Sequence, residues 1–119
     1  MKLPLFGQKP DADEQDPFRS INVDEARTML ASGQVEAIDV REPWEYNAGH
    51  VPGARSVPLN TLLRQPRQFL TRDNLMFICA SGHRSAVASE MAASLGFTQV
   101  YNVSDGTEGW LRKGYPVEK

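Results

Sequence analysis

The run Leu75-Met76-Phe77-Ile78 places four apolar residues in succession, with no polar residue between them. A strand with one face in water alternates, whereas a strand covered on both faces reads as a continuous apolar run, as in a parallel sheet between helices. The next regular segment fits that placement. Ser85 to Leu95 is Ala-rich, with Val87, Met91 and Leu95 at i, i+4 and i+8 and Gly96 just past the end, which is helical spacing with a glycine stop.

The rest of the chain repeats the alternation. Phe18 to Val23 carries a short strand signal, and Asn22 or Asp24 can cap the helix that follows. In that helix Ala26, Met29 and Leu30 lie 3 and 4 residues apart, and Gly33 supplies the stop. Val35 to Val40 reads as a strand, Pro43 to Tyr46 as a single helical turn with proline first, and Ala54 to Val57 as a brief strand. Leu59 to Phe69 is a modest helix interrupted by Pro66. Gln99 to Val103 is the fifth strand, and Thr107 to Lys113 the last helix. Strands alternating with helices imply an α/β domain with a mostly parallel sheet. Residues 1–17, with Pro4, Pro10, Pro17 and four acidic residues from Asp11 to Asp16, read as a flexible tail. Residues 18–119 then form one domain, as the length of 119 residues suggests.

Composition narrows the partners. Hydrophobic residues make up 40% and charged residues 24%, so the chain is neither disordered nor collagen-like. No apolar run approaches the roughly 18 residues of a membrane span. The net charge of -2, without a block of like charge, argues against nucleic acid or an anionic membrane as the main partner. A small anionic substrate in a locally positive pocket remains compatible. The single cysteine, Cys79, cannot form an internal disulfide or give two ligands to a zinc site. With no secretory apolar stretch near Met1, the expectation is a reducing, cytoplasmic setting.

Cys79 ends the buried strand, and ligands of open parallel sheets bind at the carboxyl ends of strands. Ala80-Ser81-Gly82-His83-Arg84 follows, and a helix is expected to start near Ser85. Strand, glycine-containing loop and helix N-terminus together make an anion cradle of inward N–H groups. A thiol there ionises more readily than a free one. Arg84 adds a permanent charge and a planar fork suited to oxyanions, and Arg41 a second positive charge near the pocket. Ser81 and Ser85 offer hydroxyls, and Ala80 and Gly82 keep bulk away. His83 is expected to serve through its backbone N–H. Asp39 and His50 read as structural, and Trp44 and Trp110 as packing anchors.

The stretch Cys79-Ala80-Ser81-Gly82-His83-Arg84-Ser85 resembles the active-site loop of single-domain rhodaneses, the sulfurtransferases. Ile38-Asp39-Val40-Arg41-Glu42-Pro43, Glu45-Tyr46 and Gly49-His50-Val51-Pro52-Gly53-Ala54 are similar to that family's first signature, and Gly106 with Trp110 to its second. Asp105 stands where the family usually has a first glycine, and aspartate tolerates left-handed backbone angles better than most residues. The resemblance implies a three-layer fold, a mostly parallel five-stranded sheet flanked by helices. It implies Cys79 as nucleophile, with Ala80, Ser81, Gly82, His83, Arg84, Ser85 and Arg41 binding substrate. It implies sulfur transfer from a thiosulfate-like anion through a Cys79 persulfide to a thiophilic acceptor such as cyanide or a thiol, with no metal or organic cofactor. Two rivals accompany it. One is a sulfur-carrier or regulatory partner-binding module. The other is a phosphatase or arsenate reductase, whose relatives carry a loop one residue longer than the four residues between Cys79 and Arg84.

Overall fold

The computed structural model describes residues 17–119; the expected tail, apart from Pro17, lies outside the described residues. Along the chain run β1 (Arg19–Ile21), α1 (Val23–Ser32), β2 (Glu36–Asp39), α2 (Pro43–Ala48), β3 (Arg55–Ser56) and α3 (Leu59–Arg64). They are followed by α4 (Pro66–Phe69), β4 (Leu75–Ile78), α5 (His83–Ser94), β5 (Val100–Val103) and α6 (Gly106–Arg112). The strands form one sheet in the order β1-β5-β4-β2-β3, and every pairing is parallel.

Local chemistry accounts for the boundaries. The Asn22 side chain accepts from the Glu25 N–H at 2.8 Å while Glu25 accepts from the Asn22 N–H at 3.1 Å. This reciprocal box starts α1, and Gly33, at φ 75°, ends it. Pro66 opens α4 after Gln65 leaves helical angles, so the expected break divides two short helices.

The uninterrupted run of β4 is explained by two cores. Leu75, Phe77 and Cys79 pack with Ile38, Leu62, Ala88 and Ala92 on one face. Met76 and Ile78 pack with Ile21, Ala26, Val103 and Trp110 on the other. Every β4 side chain is therefore buried. The stripe α5 turns inward is Ser85, Ala88, Ser89 and Ala92; of the Val87, Met91, Leu95 series that the sequence spacing suggests, Met91 alone packs, partly buried, against the core. Val87 is 49% exposed. Small residues let this helix lie close on the sheet, a packing choice that hydrophobic periodicity does not register.

From β2 the chain moves outward to β3, and from β4 it moves the opposite way to β5. The carboxyl ends of β2 and β4 therefore flank a topological switch point, where parallel α/β sheets leave a crevice. Cys79 follows one strand and Val40-Arg41 the other.

Candidate active site

The loop after β4 turns so sharply that two glycines are required. Gly82 sits at φ 95°, and a Cβ there would lie 2.2 Å from the Ser104 carbonyl oxygen. Gly106, at φ 63°, would place a Cβ 2.3 Å from the Ala80 carbonyl oxygen. The loop after β5 is thus pressed against the loop after β4, backbone on backbone. Thr107 N–H donates to the Cys79 carbonyl at 2.8 Å and Glu108 N–H to that of Ala80 at 3.0 Å. Asp105 itself has φ -95°, so the left-handed tolerance expected of it is not called upon.

With Gly82 as its N-cap, α5 begins at His83, two residues before the expected start. The earlier start aims its first turn at sulfur. Cys79 Sγ accepts from Gly82 N–H at 3.2 Å and Ser85 N–H at 3.3 Å, and lies 3.3 Å from Ser85 Oγ. Burial pushes the thiol pKa up, but the Ser85 hydroxyl and the N–H groups of Ser85, Ser81 and Gly82 outweigh it and hold the thiol below its usual range. The thiol forms the floor of the cradle and is 1% exposed.

The other sequence-predicted residues divide. Ser81 Oγ is 3.2 Å from Nδ1 of His83, the first residue of α5, so these two side chains engage each other. Ala80 is half-buried beside Cys79. Arg84 reaches across to α2, where Nη1 and Nη2 meet the Glu45 carboxylate at 2.8 and 3.1 Å. The paired Arg84 draws the Glu45 pKa down to about 2, with help from Glu42 N–H against the opposing effect of burial. Arg41 is buried, its guanidinium chelated by Asp39 and bonded to the Gly49 carbonyl at 2.9 Å. Asp39 is thus the brace the sequence suggested. His50 is also structural, stacked on Tyr46 at 3.6 Å and bonded to its carbonyl. Trp110 is a buried anchor, but Trp44 is not, being 73% exposed.

Two contributors were absent from the sequence reading of the site. Glu45, read there only as part of a signature, is the partner of Arg84. Asn102, on β5, accepts from the Ser85 hydroxyl at 2.6 Å and donates Nδ2–H to the Gly82 carbonyl at 3.3 Å. It ties both ends of the sulfur cradle to the neighbouring strand. A polar residue inside the otherwise strand-like Val100–Val103 is the signal that could have flagged it.

A parallel sheet with a cysteine held by a short backbone cradle at its switch point can present a thiolate to a small substrate. The family model for the rhodanese-like domain matches residues 22–113. The chain belongs to the rhodanese-like domain family. A rhodanese-related protein from Thermoplasma volcanium is similar at 35% identity and TM-score 0.75, over 85% of this chain and 98% of that one. The human single-domain sulfurtransferase TSTD1 is similar at 32% identity and TM-score 0.68, over 82% and 96%. A Rhodopseudomonas palustris protein described as a possible tyrosine phosphatase is similar at 26% identity and TM-score 0.73, over 85% of each chain.

Proposed function

We propose that the protein is a sulfurtransferase with Cys79 as its nucleophile. The observation that carries this reading is the convergence of the Gly82 and Ser85 N–H donors on the Cys79 sulfur. Donors fixed by the backbone stabilise a thiolate without reorganising.

In the first step a Cys79 thiolate lone pair attacks the sulfane sulfur of a small anionic donor, thiosulfate or a related compound. The donor's S–S bond breaks and its electron pair leaves with sulfite. The product is a Cys79 persulfide anion, with the same N–H groups within reach to balance its charge. In the second step a thiophilic acceptor, cyanide or a thiol on a small molecule or protein, takes the outer sulfur. The S–S electron pair returns to Cys79 as thiolate. This is covalent catalysis by double displacement. With one cysteine in the chain, the persulfide cannot resolve as an internal disulfide. A reducing compartment such as the cytoplasm suits a lone, low-pKa thiol.

Phosphoryl transfer fits less well. Only four residues separate Cys79 from Arg84, and the Arg84 fork is occupied by Glu45.

Intact-mass spectrometry of reduced protein before and after thiosulfate tests the proposal, with Cys79→Ser alongside. We expect wild type to gain the mass of one sulfur atom, lose it to cyanide as thiocyanate, and Cys79→Ser to gain none. Absence of gain with thiosulfate and organic sulfane donors alike, in folded protein, would refute it.

A further inference from the structure

The Ser85 hydroxyl stands between two acceptors and carries one proton. It donates to Asn102 Oδ1 at 2.6 Å and lies 3.3 Å from Cys79 Sγ. All three side chains are buried, so bulk water replaces neither contact. The Asn102 amide is held with its oxygen toward Ser85, because Nδ2–H donates to the Gly82 carbonyl at 3.3 Å. Its backbone is fixed as well, since β5 pairs with β1 on one side and β4 on the other.

The two acceptors make different demands on charge. While Cys79 is a thiol, its S–H can donate to Ser85 Oγ, the hydroxyl donates to Asn102, and every group is satisfied. When Cys79 ionises, the thiolate draws the hydroxyl proton to itself. Asn102 Oδ1 is then buried without a donor, for no other donor reaches it among the described residues. Persulfide formation reverses the exchange. The thiolate lone pair becomes the new S–S bond, the donor's electron pair leaves with its former partner, and the negative charge passes to the outer sulfur. Sγ is now an uncharged inner sulfur, and the hydroxyl proton returns to Asn102.

We infer that Asn102 is a positioning residue that holds the Ser85 proton away from sulfur, favouring the thiol and the persulfide over the thiolate between them. The inference deepens the sulfurtransferase reading and rests on it, since the pull of Asn102 sets how well Cys79 attacks against how well it leaves. The Ser85 hydroxyl heads the groups that lower the Cys79 pKa, so a competitor for that hydroxyl acts directly on the sulfur. Bracing Gly82 is a lesser task, because the Gly82 carbonyl also accepts from Ala86 N–H at 3.2 Å. The titratable and charged groups around the thiol are His83 and Arg84 on α5, Asp39 and Arg41 at the end of β2, Glu45 on α2, and Asp105 and Glu108 where β5 leads into α6. From α3 and α4 the same cluster receives the apolar Leu62 and Phe69. None of those charged groups bonds to Ser85 Oγ or to the Asn102 amide, so they are a common background to every variant below.

The test removes the acceptor and follows the sulfur. With one cysteine in the chain, the pH dependence of alkylation by iodoacetamide reports Cys79 alone. In Asn102→Leu, and in the smaller Asn102→Val, we expect the midpoint to move to lower pH by about one unit, tenfold in the ionisation constant. A residue that merely braced the cradle would have the opposite effect on removal, because the N–H groups would drift from the sulfur. In a Ser85→Ala background the same substitutions should leave the midpoint where Ser85→Ala alone puts it. Wild type gives a check that needs no change at Asn102: the NMR shift of its side-chain carbonyl carbon should follow the Cys79 midpoint, and should cease to do so in Ser85→Ala. Sulfur transfer supplies a separate readout. A thiolate of lower pKa attacks less well and leaves more readily, so above the midpoint loading from thiosulfate should slow by about threefold and discharge to cyanide should quicken by about as much. A loosened cradle would slow both. A midpoint that stays or rises, or one that falls equally without the Ser85 hydroxyl, would overturn the inference, and loading by thiosulfate would still uphold the sulfurtransferase reading. A midpoint that falls as expected in folded protein that no sulfane donor loads would uphold the proton exchange and defeat the sulfurtransferase reading.

Discussion

The two sides of the Cys79 site are built in opposite ways. The cradle is one stretch of chain, Cys79 to Ser85, in which the donors and the atom they serve are at most six residues apart. The rim is assembled from distant segments: Arg41 after β2, Trp44 and Glu45 on α2, Arg84 on α5, and Leu111 on α6. Cradle groups act through backbone positions that the fold holds rigidly. Rim groups act through side chains, Arg84 paired with Glu45 and Arg41 with Asp39. The contrast suggests that the cradle carries reactivity and that the rim carries selectivity, which can vary without disturbing the sheet.

The sharpest way to break this comparison is at Gly82. Alanine at that position must adopt φ 95°, and its Cβ would stand 2.2 Å from the Ser104 carbonyl oxygen, a backbone atom that cannot rotate away. The loop must shift, carrying the Gly82 and Ser85 N–H groups off the sulfur. We expect sulfur loading to slow by about 100-fold, the effect of roughly 1 Å of misplacement at a reacting atom. Strain should also lower stability by about 1–3 kcal/mol. Loading within a fewfold of wild type would show that the cradle is not rigid, and the contrast would collapse.

The same contrast governs what could be read from sequence. The Leu75–Ile78 run and the Cys79-to-Ser85 spacing were sufficient to place a buried strand, a turn and a helix, because those relations span few residues. Arg84 was legible as a charge, but its occupation by Glu45 was not, since the pair spans 39 positions. Asn102 escaped notice for the same reason, acting on Ser85 and Gly82 from another strand. Trp44 was misjudged because a tryptophan usually buries its ring, and sequence alone does not show which side of a short helix faces the core. The stripe on α5 was misplaced because alanine and serine carry little hydrophobic signal even where they make the contact.

Ser85→Ala sharpens the comparison from inside the cradle. The variant keeps the N–H at position 85 and removes the hydroxyl 3.3 Å from Sγ. Burial raises the Cys79 pKa, and the Ser85 hydroxyl heads the groups that bring it below the usual value. Sulfur loading uses the thiolate, so its rate climbs with pH and levels off above that pKa. The Ser85 hydroxyl has one proton, given to Asn102 Oδ1 while Cys79 is a thiol and turned to sulfur when it ionises, so its loss should move the rising limb to higher pH and cut the rate at neutral pH by about tenfold. Thermal unfolding is followed in parallel, because Asn102 Oδ1 loses its donor. A limb that stays in place would assign the low pKa to the backbone N–H groups alone.

The smallest expected effect lies at the rim. In the fold Glu45 titrates at about 2, against 4.5 for an ordinary glutamate, chiefly because Arg84 bonds to its charged form. A depressed folded pKa contributes stability in full above the unfolded value. That contribution shrinks below about pH 4.5 and is gone once pH has fallen through about 2. The Arg84 side chain is 37% exposed, so water screens the pair and its worth at neutral pH is no more than about 1 kcal/mol. Urea unfolding of wild type and Glu45→Gln at pH 7 and pH 3 should therefore show a gap of at most that size, narrowing at the lower pH. A gap of several kcal/mol would make the rim structural, like the cradle. A small, pH-dependent gap means that the Glu45–Arg84 pair shapes this side of the rim while contributing little to the fold, so the rim is adjustable one side chain at a time.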